Sequence, residues 1–563
     1  MSELPPELLQ KIGDARTVNA IASSDLLTPF RQIRSLLFAQ ADRHEEKPFL
    51  IFFDGENRRR EYSYRDFTDD VCRTANFLHA RGIRKGDRIA TVAFNHSDTV
   101  IQYFAAFIIG AVVVPINVGE DDKRVHYLLS DSRVRLAFVR EQFQERIRSL
   151  TADLPLLKHL IVVPSDTRVG HHADLRHLSS GLDPAIEEPV DSDEALIVYT
   201  SGTTGNPKAV VLTHYNLLAD AMAISDWHGL TTESRMMCVL PIHHVNGTVV
   251  TLVTPLFAGC SVVLNQKFQT ERFFSRIAAE QIDVVSVVPT LLQFLHHAHI
   301  KTEELELWRF RHIICGAGPL TVDLATRFEQ LYQIPIIHGY GLSETTCYSC
   351  FLPVDLTREK HRHWLSAYGF PSIGVPLPIN QMAIHDDEGR ELEAGERGEI
   401  VVRGHNVMKY YYNNRDANEQ AFSHGWFRTG DEGFFQYDEQ ERMFFFITGR
   451  LKELIIRGGV NISPFEIDEV LMNIPGVEAG IAVGFENDWY GEEVGAYVKL
   501  RPDTELTGDR ILAICRKQLP YARSPKVVLF GDDVPVTSTG KYQRNKCKPL
   551  FAEWKSAQFR ENG

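Results

Sequence analysis

The first half of the chain alternates short β-branched runs with longer stretches of helical periodicity. Residues 88–94 (RIATVAF) predict a strand, residues 97–109 a helix capped by Ser97, and residues 111–116 (AVVVPI) another strand. Strands that are apolar on both faces and alternate with helices are typical of parallel sheets covered by helices. The pattern therefore predicts an α/β fold.

The alternation returns further along the chain and then gives way to a different pattern. Strand-like runs at 283–289 and 311–318, a helix near 321–332 and a strand at 334–341 repeat the first arrangement. After about residue 375, short strands with turns follow at 398–404, 425–435 and 443–450. We expect a large domain of parallel and mixed sheets with a β-rich subdomain at its end.

A smaller unit follows this β-rich part. Ser463 is a capping residue, Pro464 suits the first helical position and Glu466 lies three residues after the cap, so a helix should begin here. Strands at 479–484 and 494–500, a helix at 508–518 and a strand at 526–530 complete an α+β module of roughly 110 residues, a reasonable domain size. With the boundary at Arg450-Leu451-Lys452, the domains are 1–451 and 452–563.

Composition and charge narrow the class of protein. The chain has 563 residues, too many for one core, and its formal net charge of −14 argues against a nucleic-acid-binding surface. Its first residues lack the basic start and apolar run of a signal peptide, and we find no transmembrane segment, so we expect a cytoplasmic protein. Eight cysteines, including the pair Cys347 and Cys350, do not form a disulfide framework, and we assign no structural metal.

One loop has the chemistry of a phosphate site. Residues 199–214 (YTSGTTGNPKAVVLTH) lie between strand-like runs at 194–200 and 209–214, so the loop should be a hairpin tip. Its spacing is not that of a Walker A loop. Phosphate would be held by backbone N–H groups and by the side chains of Thr200, Ser201, Thr203, Thr204 and Lys208, with Gly202 and Gly205 allowing close approach. An ordinary turn is the alternative for the loop alone.

Two glycine-rich segments lie where parallel strands should end. They are CGAGPL (315–320) and HGYGLSETT (338–346), and the crevice beyond such strand ends is where α/β folds bind ligands. Tyr340 can offer a flat ring to a base, and Glu344 a carboxylate to Mg²⁺. Taken singly, Tyr340 could equally be a core residue and Glu344 a surface acid.

These motifs together resemble a known superfamily. The segments YTSGTTGNPKAVVLTH, CGAGPL, HGYGLSETT, GWFRTGD, GRLKELIIRGGVNISPFEID and PVTSTGKYQR are similar, in this order, to the ANL superfamily of adenylate-forming enzymes. That superfamily contains acyl- and aryl-CoA synthetases, nonribosomal adenylation domains and luciferases. The resemblance implies the ANL fold, with a small mobile C-terminal domain, and ATP-dependent formation of acyl-AMP.

The resemblance also implies roles for individual residues. The loop from Thr200 to Lys208 would cover the β- and γ-phosphates, Glu344 would bind Mg²⁺, and Lys541 would reach the carboxylate and α-phosphate from the small domain. The implied ATP- and AMP-binding residues are Thr200, Ser201, Gly202, Thr203, Thr204, Gly205, Gly316, Ala317, Gly318, Pro319, Gly339, Tyr340, Gly341, Ser343, Asp431 and Arg450. Lys452 occupies the hinge position, about which the small domain would rotate between two half-reactions.

The acyl and acceptor sites are implied in the same way. Segment 240–247 (LPIHHVNG) lacks the acid that would pair with an α-amino group, and His244 and Val245 border the acyl pocket, with Gly316 and Gly341 leaving room beside it. With Val249, Val250 and Leu252 nearby, these residues favour a fatty or other apolar or aromatic acid. Arg457, Gly458 and Gly459 resemble the CoA-binding segment of CoA ligases, where the glycines would let the pantetheine arm pass and Arg457 would contact the CoA phosphates. The resemblance thus implies transfer of the acyl group from acyl-AMP to CoA, giving acyl-CoA and AMP.

Alternatives to this function remain. The first is a free-standing ligase that loads a carrier protein, and a remote one is a luciferase-like oxygenase. A phosphotransferase is disfavoured because the sequence has no Walker A or kinase signature, and an inactive binding protein because it need not keep Glu344, Asp431 and Lys541 together. The pattern does not indicate an oligomeric state.

Overall fold

The computed structural model describes residues 4–25, 27–164, 175, 177–200, 207–536 and 542–560. The predicted loop residues Ser201 to Gly205 and the predicted lysine Lys541 lie outside the described residues. The α-helices are α1 Pro6–Ala15, α2 Ile33–His44, α3 Tyr64–Ala80, α4 Ser97–Ile108, α5 Asp122–Asp131, α6 Gln144–Leu150, α7 His214–Trp227, α8 Thr254–Ala258, α9 Phe273–Ala279, α10 Pro289–Ala298, α11 Val322–Tyr332, α12 Arg358–Ser366, α13 Arg415–Ala421, α14 Pro464–Met472, α15 Gly508–Gln518 and α16 Arg544–Cys547.

The strands alternate with these helices through the first 340 residues and then follow one another. They are β1 Pro48–Phe53, β2 Arg59–Ser63, β3 Arg88–Val92, β4 Val112–Ile116, β5 Leu136–Arg140, β6 His159–Val163, β7 Glu194–Tyr199, β8 Ala209–Thr213, β9 Arg235–Cys238, β10 Ser261–Asn265, β11 Val284–Val287, β12 His312–Cys315, β13 Ile336–Tyr340, β14 Cys350–Phe351, β15 Ser372–Pro376, β16 Asn380–His385, β17 Gly398–Gly404, β18 Tyr410–Tyr411, β19 Phe427–Tyr437, β20 Met443–Arg450, β21 Ile455–Arg457, β22 Val460–Ile462, β23 Val477–Asn487, β24 Gly491–Leu500 and β25 Val527–Phe530. The predicted α/β class is confirmed.

The first sheet has seven strands in the order β18-β8-β7-β4-β3-β5-β6. Its centre is parallel, and β7 and β8 form the predicted antiparallel hairpin. The helix after β3 begins as predicted at Ser97, but its N-cap is His96, whose Nδ1 accepts the backbone N–H of Asp98. Ser97 is already inside the helix, so its predicted capping role is wrong.

The second sheet has thirteen strands, from β16 at one edge to β2 at the other. Strands β10, β9, β11, β12 and β13 are parallel neighbours. The antiparallel strands after residue 375 continue this sheet through β14 and β15 and do not form a separate one. The β-rich part is thereby fixed to the edge of β13, beside the predicted nucleotide segments.

The C-terminal part has a sheet and a hydrophobic core of its own. Strands β21 to β25 form a five-stranded sheet, and residues such as Ile467 and Val494 cluster apart from the large core. Ser463 caps α14 by accepting the backbone N–H of Phe465, as predicted. Strands β23 and β24 are longer than predicted because they form one continuous hairpin. The boundary at residue 451 stays a prediction.

Side chains of α14 hold the two parts of the chain together. Glu466 pairs with Arg397 at 3.1 Å, and Glu469 accepts the backbone N–H of Val322 at 3.2 Å, at the start of α11. The free N–H groups and dipole at the start of α11 favour the charged form of Glu469, but burial outweighs them and raises the pKa of Glu469 to about 7. Any rotation of the C-terminal part must break both contacts.

The described residues include no helix with the length and hydropathy required to cross a membrane. The eight cysteines are all buried and unpaired. Cys347 and Cys350 of the C-x-x-C sequence are therefore thiols packed in the core.

Buried histidines make the fold sensitive to acid, and His338 on β13 gives a clean test. Burial lowers the pKa of His338 to about 4, and the hydrogen bond to the Ser372 carbonyl offsets this only in part. Because histidine in the unfolded chain titrates near about 6.5, the unfolded state binds the proton first, and the stability contribution is lost as the pH falls from about 6.5 towards 4.

We expect the wild type to lose about 1.4 kcal/mol of unfolding free energy per pH unit in this window relative to His338→Asn. Urea denaturation of both proteins at several pH values measures this difference. Curves that stay parallel from pH 7 to pH 5 would contradict it.

Candidate active site

Two loops meet at the carboxyl ends of β12 and β13. The strands pair with Cys315 opposite His338, so the loop at 316–319 and the loop at 341–344 leave the sheet at the same edge. At Gly316 a Cβ atom would lie 2.8 Å from the Gly339 carbonyl oxygen. The two glycine-rich segments thus lie against each other at one edge of the sheet, and the ligand crevice beside them stays a prediction.

Glu344 is held at this edge of the sheet from both its backbone and its side chain. It lies in a short 3₁₀ turn, Ser343–Thr345, and is 8% exposed. Its carboxylate accepts a hydrogen bond from the Tyr411 hydroxyl at 2.7 Å, and its carbonyl accepts the Met408 N–H at 2.8 Å. The carboxylate is therefore oriented before any ligand binds.

Lys208 lies beside the same tyrosine. Strand β18 pairs with β8 so that Tyr411 faces Val210, and the Lys208 Nζ lies 4.6 Å from the centroid of the Tyr411 ring. Burial lowers the pKa of Lys208, whereas the charge of Glu344 raises it and that of Lys452 lowers it. A lysine, a tyrosine and a glutamate from three distant segments thus form one cluster, with the Lys452 charge acting on it.

The ends of the predicted phosphate loop are paired with each other. Thr200 donates its N–H to the Lys208 carbonyl at 2.9 Å, and the Lys208 N–H donates to the Thr200 hydroxyl at 3.3 Å. Arg124 also donates to the Thr200 carbonyl at 3.1 Å. The Thr200 hydroxyl therefore closes the hairpin, and Lys208 is held at its base.

Tyr340, Asp431 and Arg450 form a second cluster, at the end of β13 and on β19 and β20. The Tyr340 hydroxyl donates to Asp431 at 2.7 Å, and the Arg450 Nε lies 3.3 Å from the other carboxylate oxygen. Asp431 and Arg450 are register partners on β19 and β20. Both carboxylate oxygens of this buried acid are thus oriented, which suits an acceptor of two hydroxyl groups.

The residues predicted to border the acyl pocket are not all placed as expected. Val245 is 8% exposed and lies next to His244, as predicted, but Val249, Val250 and Leu252 are fully buried in a π-helical segment, Asn246–Val253. Gly316 and Gly341 do not open into space. A Cβ atom at Gly316 would lie 2.7 Å from the Tyr348 hydroxyl, and one at Gly341 would lie 1.8 Å from the Cys347 carbonyl oxygen. The glycines are required by the close packing of residues 347–348.

A buried polar group closes this border. The Asn246 amide donates to the Tyr348 hydroxyl at 3.1 Å and accepts from the Ser286 hydroxyl at 2.8 Å. The space beside Gly316 therefore ends against a hydrogen-bonded tyrosine.

The predicted CoA segment is a tight hairpin. Arg457 faces Val460 across β21 and β22, and the linking Gly458 and Gly459 have φ values of +56° and +82°, as a type I′ turn requires. The glycines are therefore needed for the turn itself. Arg457 pairs with the buried Glu493 at 2.7 Å and stacks on Tyr490, and Glu493 also lies 3.5 Å from the Lys526 ammonium, so one carboxylate faces two cations. The contact of Arg457 with the CoA phosphates stays a prediction.

A cavity of about 380 Å³ lies between the large part of the chain and the C-terminal part. Gly318, Pro319, Ile447 and Tyr542 line it. Tyr542 is the first described residue after Lys541 in the sequence.

Sequence reasoning missed Tyr411 and Tyr348. Tyr411 contacts Glu344 and lies beside Lys208, and Tyr348 borders Gly316. The run Tyr410-Tyr411-Tyr412 is the sequence feature that could have drawn attention to this strand.

Comparisons with known proteins identify the family of the chain. Residues 37–412 match the family described as AMP-binding enzyme, and residues 466–541 match the AMP-binding enzyme C-terminal domain. The chain is 32% identical over 477 residues to the probable CoA ligase CCL9 of Humulus lupulus, covering 84% of this chain and 88% of that protein.

Two further relatives cover more of the chain. The sulfoacetate–CoA ligase of Cupriavidus necator is 31% identical over 523 residues, which is 92% of this chain and 97% of that protein. The crystal structure of ATP-bound MatB from Rhodopseudomonas palustris superposes with a TM-score of 0.81 at 26% identity, covering 93% of this chain and all of that one. The chain belongs to the AMP-binding enzyme family of the ANL superfamily and is an AMP-forming acyl- or aryl-CoA synthetase.

Proposed function

We propose that this CoA ligase activates an apolar or aromatic carboxylic acid, and that the cluster of Glu344, Tyr411 and Lys208 is the centre of the adenylation step. The observation that supports the proposal is the orientation of the Glu344 carboxylate by Tyr411 beside the Lys208 ammonium. A carboxylate oxygen of the substrate attacks the α-phosphorus of ATP, the bond to the bridging oxygen breaks, and pyrophosphate leaves. The CoA thiolate then attacks the acyl carbonyl of acyl-AMP, and AMP leaves.

Lys208 and the loop above it hold the departing pyrophosphate. Lys208 lies at the base of the β7–β8 hairpin. Because the loop leads into a strand and not into a helix, the Lys208 ammonium, and not a helix N-terminus, would face the β- and γ-phosphates. Lys541 provides the charge at the α-phosphate and the substrate carboxylate. Electrostatic groups placed where charge develops in the transition state contribute most of such rate enhancements.

The nucleoside part of ATP binds at the cluster of Tyr340, Asp431 and Arg450. Adenine lies between the segment 316–319 and the Tyr340 ring, and Asp431 accepts the ribose hydroxyls while Arg450 contacts the phosphate side. The hydrogen bond from Tyr340 and the contact with Arg450 support this assignment, because they orient both Asp431 oxygens. Ser343 and the backbone at Gly339 and Gly341 complete the site.

Glu344 also fits a role as magnesium ligand. Mg²⁺ is usually bound by one or two carboxylates together with waters and substrate phosphates, and not by an all-protein cage. Among the described residues no three His, Cys, Asp or Glu side chains come together as a metal site. The single oriented carboxylate of Glu344 would be the protein ligand in such a site, with the ATP phosphates and water as the other ligands. When bound, Mg²⁺ would neutralise charge on the phosphates.

The acyl group should be compact. His244 and Val245 provide an apolar and aromatic border, and segment 240–247 has no acid to pair with an ammonium group. Because Tyr348 closes the wall behind Gly316, an aromatic or short branched acid fits better than a long unbranched chain.

A panel of carboxylic acids in a pyrophosphate-release assay tests this proposal. It should include aryl acids, short and long fatty acids and α-amino acids at equal concentration. We expect aryl or short apolar acids to give the largest kcat/KM. A preference for long-chain fatty acids or for α-amino acids would contradict the assigned pocket.

The acceptor is CoA, as for the relatives. Loading of a separate carrier protein is the second candidate, and comparing CoA with an acyl-carrier protein in the same assay separates the two. We place the reaction in the cytoplasm, because the eight thiols are all unpaired and thiols persist in reducing compartments.

Lys452 is the proposed hinge between the two half-reactions. It lies in the 3₁₀ turn Leu451–Glu453, and proline there fixes φ near the value that such a turn already uses. The Lys452→Pro variant should keep the present orientation of the C-terminal part. It should not allow that part to rotate and break the contacts of Glu466 and Glu469.

Lys452→Pro should therefore retain pyrophosphate exchange and slow thioester formation by about 10²-fold, as small misplacements of reacting groups do. Single-turnover assays of each step measure this, with Lys452→Ala as the matched control that keeps the backbone free. Normal thioester formation by the proline variant would refute the hinge.

A further inference from the structure

The turn that follows Glu344 has an unusual backbone. Thr346 has φ +63° and ψ −54°, and the Cys347 N–H donates to the Thr345 carbonyl at 2.7 Å. This is a γ-turn with positive φ, which is rare and strained even for residues without a branched Cβ. Such a conformation costs on the order of 1–3 kcal/mol and persists only where the surroundings impose it.

Asn406 provides the groups that impose it. The Thr346 hydroxyl donates to the Asn406 carbonyl at 2.6 Å, and the Asn406 side chain donates to the Tyr348 carbonyl at 2.7 Å. Asn406 therefore holds the chain on both sides of Cys347. Thr346 and Asn406 are both fully buried, so water does not compete for these hydrogen bonds.

Asp220 on α7 anchors Asn406 in turn. The Asn406 amide donates to the Asp220 Oδ1 at 2.8 Å, and Asp220 is fully buried. The other carboxylate oxygen, Oδ2, has no hydrogen-bond partner among the described atoms. Burial raises the pKa of Asp220 well above its usual range, and the Asn406 amide and Tyr348 N–H offset this only in part. Burying this carboxyl group costs free energy, and the group forms the hydrogen bond that orients Asn406.

The same segment holds Glu344 directly. Residues 406–411 contain Met408, whose N–H donates to the Glu344 carbonyl, and Tyr411, whose hydroxyl donates to the Glu344 carboxylate. Asn406 is thus linked both to the strained turn after Glu344 and to the segment that orients its side chain. None of these bonds is needed to close the sheet, because β18 pairs with β8 independently.

We propose that Asp220 and Asn406 are positioning residues that hold the strained turn at Thr346 and thereby set the Glu344 carboxylate for magnesium-bound ATP. Neither touches the substrate. The inference rests on the proposed role of Glu344, and it adds a buried chain of bonds from α7 to that carboxylate. Groups that orient a metal ligand from behind typically change metal affinity or activity by about 10–100-fold.

The main test compares Asp220→Ala with Asp220→Asn, which keeps an oxygen to accept the Asn406 amide. Ser225→Ala, a buried position on the same helix, is the matched control. We expect Asp220→Ala to raise the Mg²⁺ concentration for half-maximal pyrophosphate exchange by about 10-fold. Hydrogen exchange at the amides of residues 345–348, measured by mass spectrometry without ligands, should become faster. Asp220→Asn should restore both values towards those of the wild type, and Ser225→Ala should change neither.

Thr346→Val supplies a second variant in case Asp220→Ala does not fold, since it removes a single hydroxyl at constant volume. It should shift both readouts in the same direction, and Thr346→Ser should not. Glu344→Gln, measured in parallel, separates this inference from the proposed function: an unchanged Mg²⁺ requirement there means that the role of Glu344 is wrong. Suppose that Glu344→Gln shifts the Mg²⁺ requirement, while a folded Asp220→Ala or Thr346→Val changes neither the Mg²⁺ requirement nor the hydrogen-exchange rates of residues 345–348. The positioning role is then overturned.

Discussion

Replacing Lys541 with alanine is expected to reduce pyrophosphate exchange by about 10²–10³-fold, the usual cost of removing one well-placed electrostatic donor. Attack of a carboxylate on the α-phosphorus concentrates negative charge that this lysine is proposed to stabilise. Thioester formation from supplied acyl-AMP should stay mostly intact, because the bond to phosphorus is already made. The two half-reactions are measured separately, by exchange of labelled pyrophosphate and by acyl-CoA formation.

Lys208→Ala is the matched comparison. Lys208 lies at the base of the β7–β8 hairpin and is proposed to hold the leaving group, so its loss should slow adenylation less than the loss of Lys541. Equal loss of both half-reactions in Lys541→Ala would contradict the role assigned to Lys541.

Glu344→Gln should lower pyrophosphate exchange by about 10²–10³-fold as well. The amide keeps the size of the side chain and an oxygen that can accept the Tyr411 hydroxyl, so the fold should be retained. It removes the negative charge, which is the property that a magnesium ligand needs. The charge of Glu344 also raises the pKa of Lys208, so the variant should lower that pKa further.

Tyr411→Phe distinguishes charge from orientation. It keeps the carboxylate but removes the hydroxyl that orients it, and we expect a smaller loss, about 10-fold. Steady-state kinetics at saturating and limiting Mg²⁺ measure both variants. Wild-type exchange by Glu344→Gln would remove Glu344 from the mechanism.

The helices and strands that local patterns predicted are present in the structure. The helix at 508–518 has the predicted bounds, and the hairpin that carries Lys208 and the cap at Ser463 are as predicted. These features depend on neighbouring residues only. The cap of α4 was misassigned because His96, which is not among the usual capping residues, uses a ring nitrogen as acceptor.

The errors at the site come from contacts between distant segments. A glycine such as Gly341 shows that something lies close, but the sequence does not say that it is the carbonyl of Cys347 and not a substrate. The sequence also does not indicate that Arg457 pairs with Glu493, because the two residues lie on different strands. Tyr411 was missed because only the pairing of β18 with β8 brings it to Lys208 and Glu344.

Attack of the substrate carboxylate on the α-phosphorus of ATP is the step on which the proposed function depends. Turnover of an acid labelled with ¹⁸O in its carboxylate tests this step, with the products separated and analysed by mass spectrometry. One labelled oxygen should appear in AMP for each acyl-CoA formed, and pyrophosphate should carry none. Label in inorganic phosphate with release of ADP, or AMP without label, would contradict it.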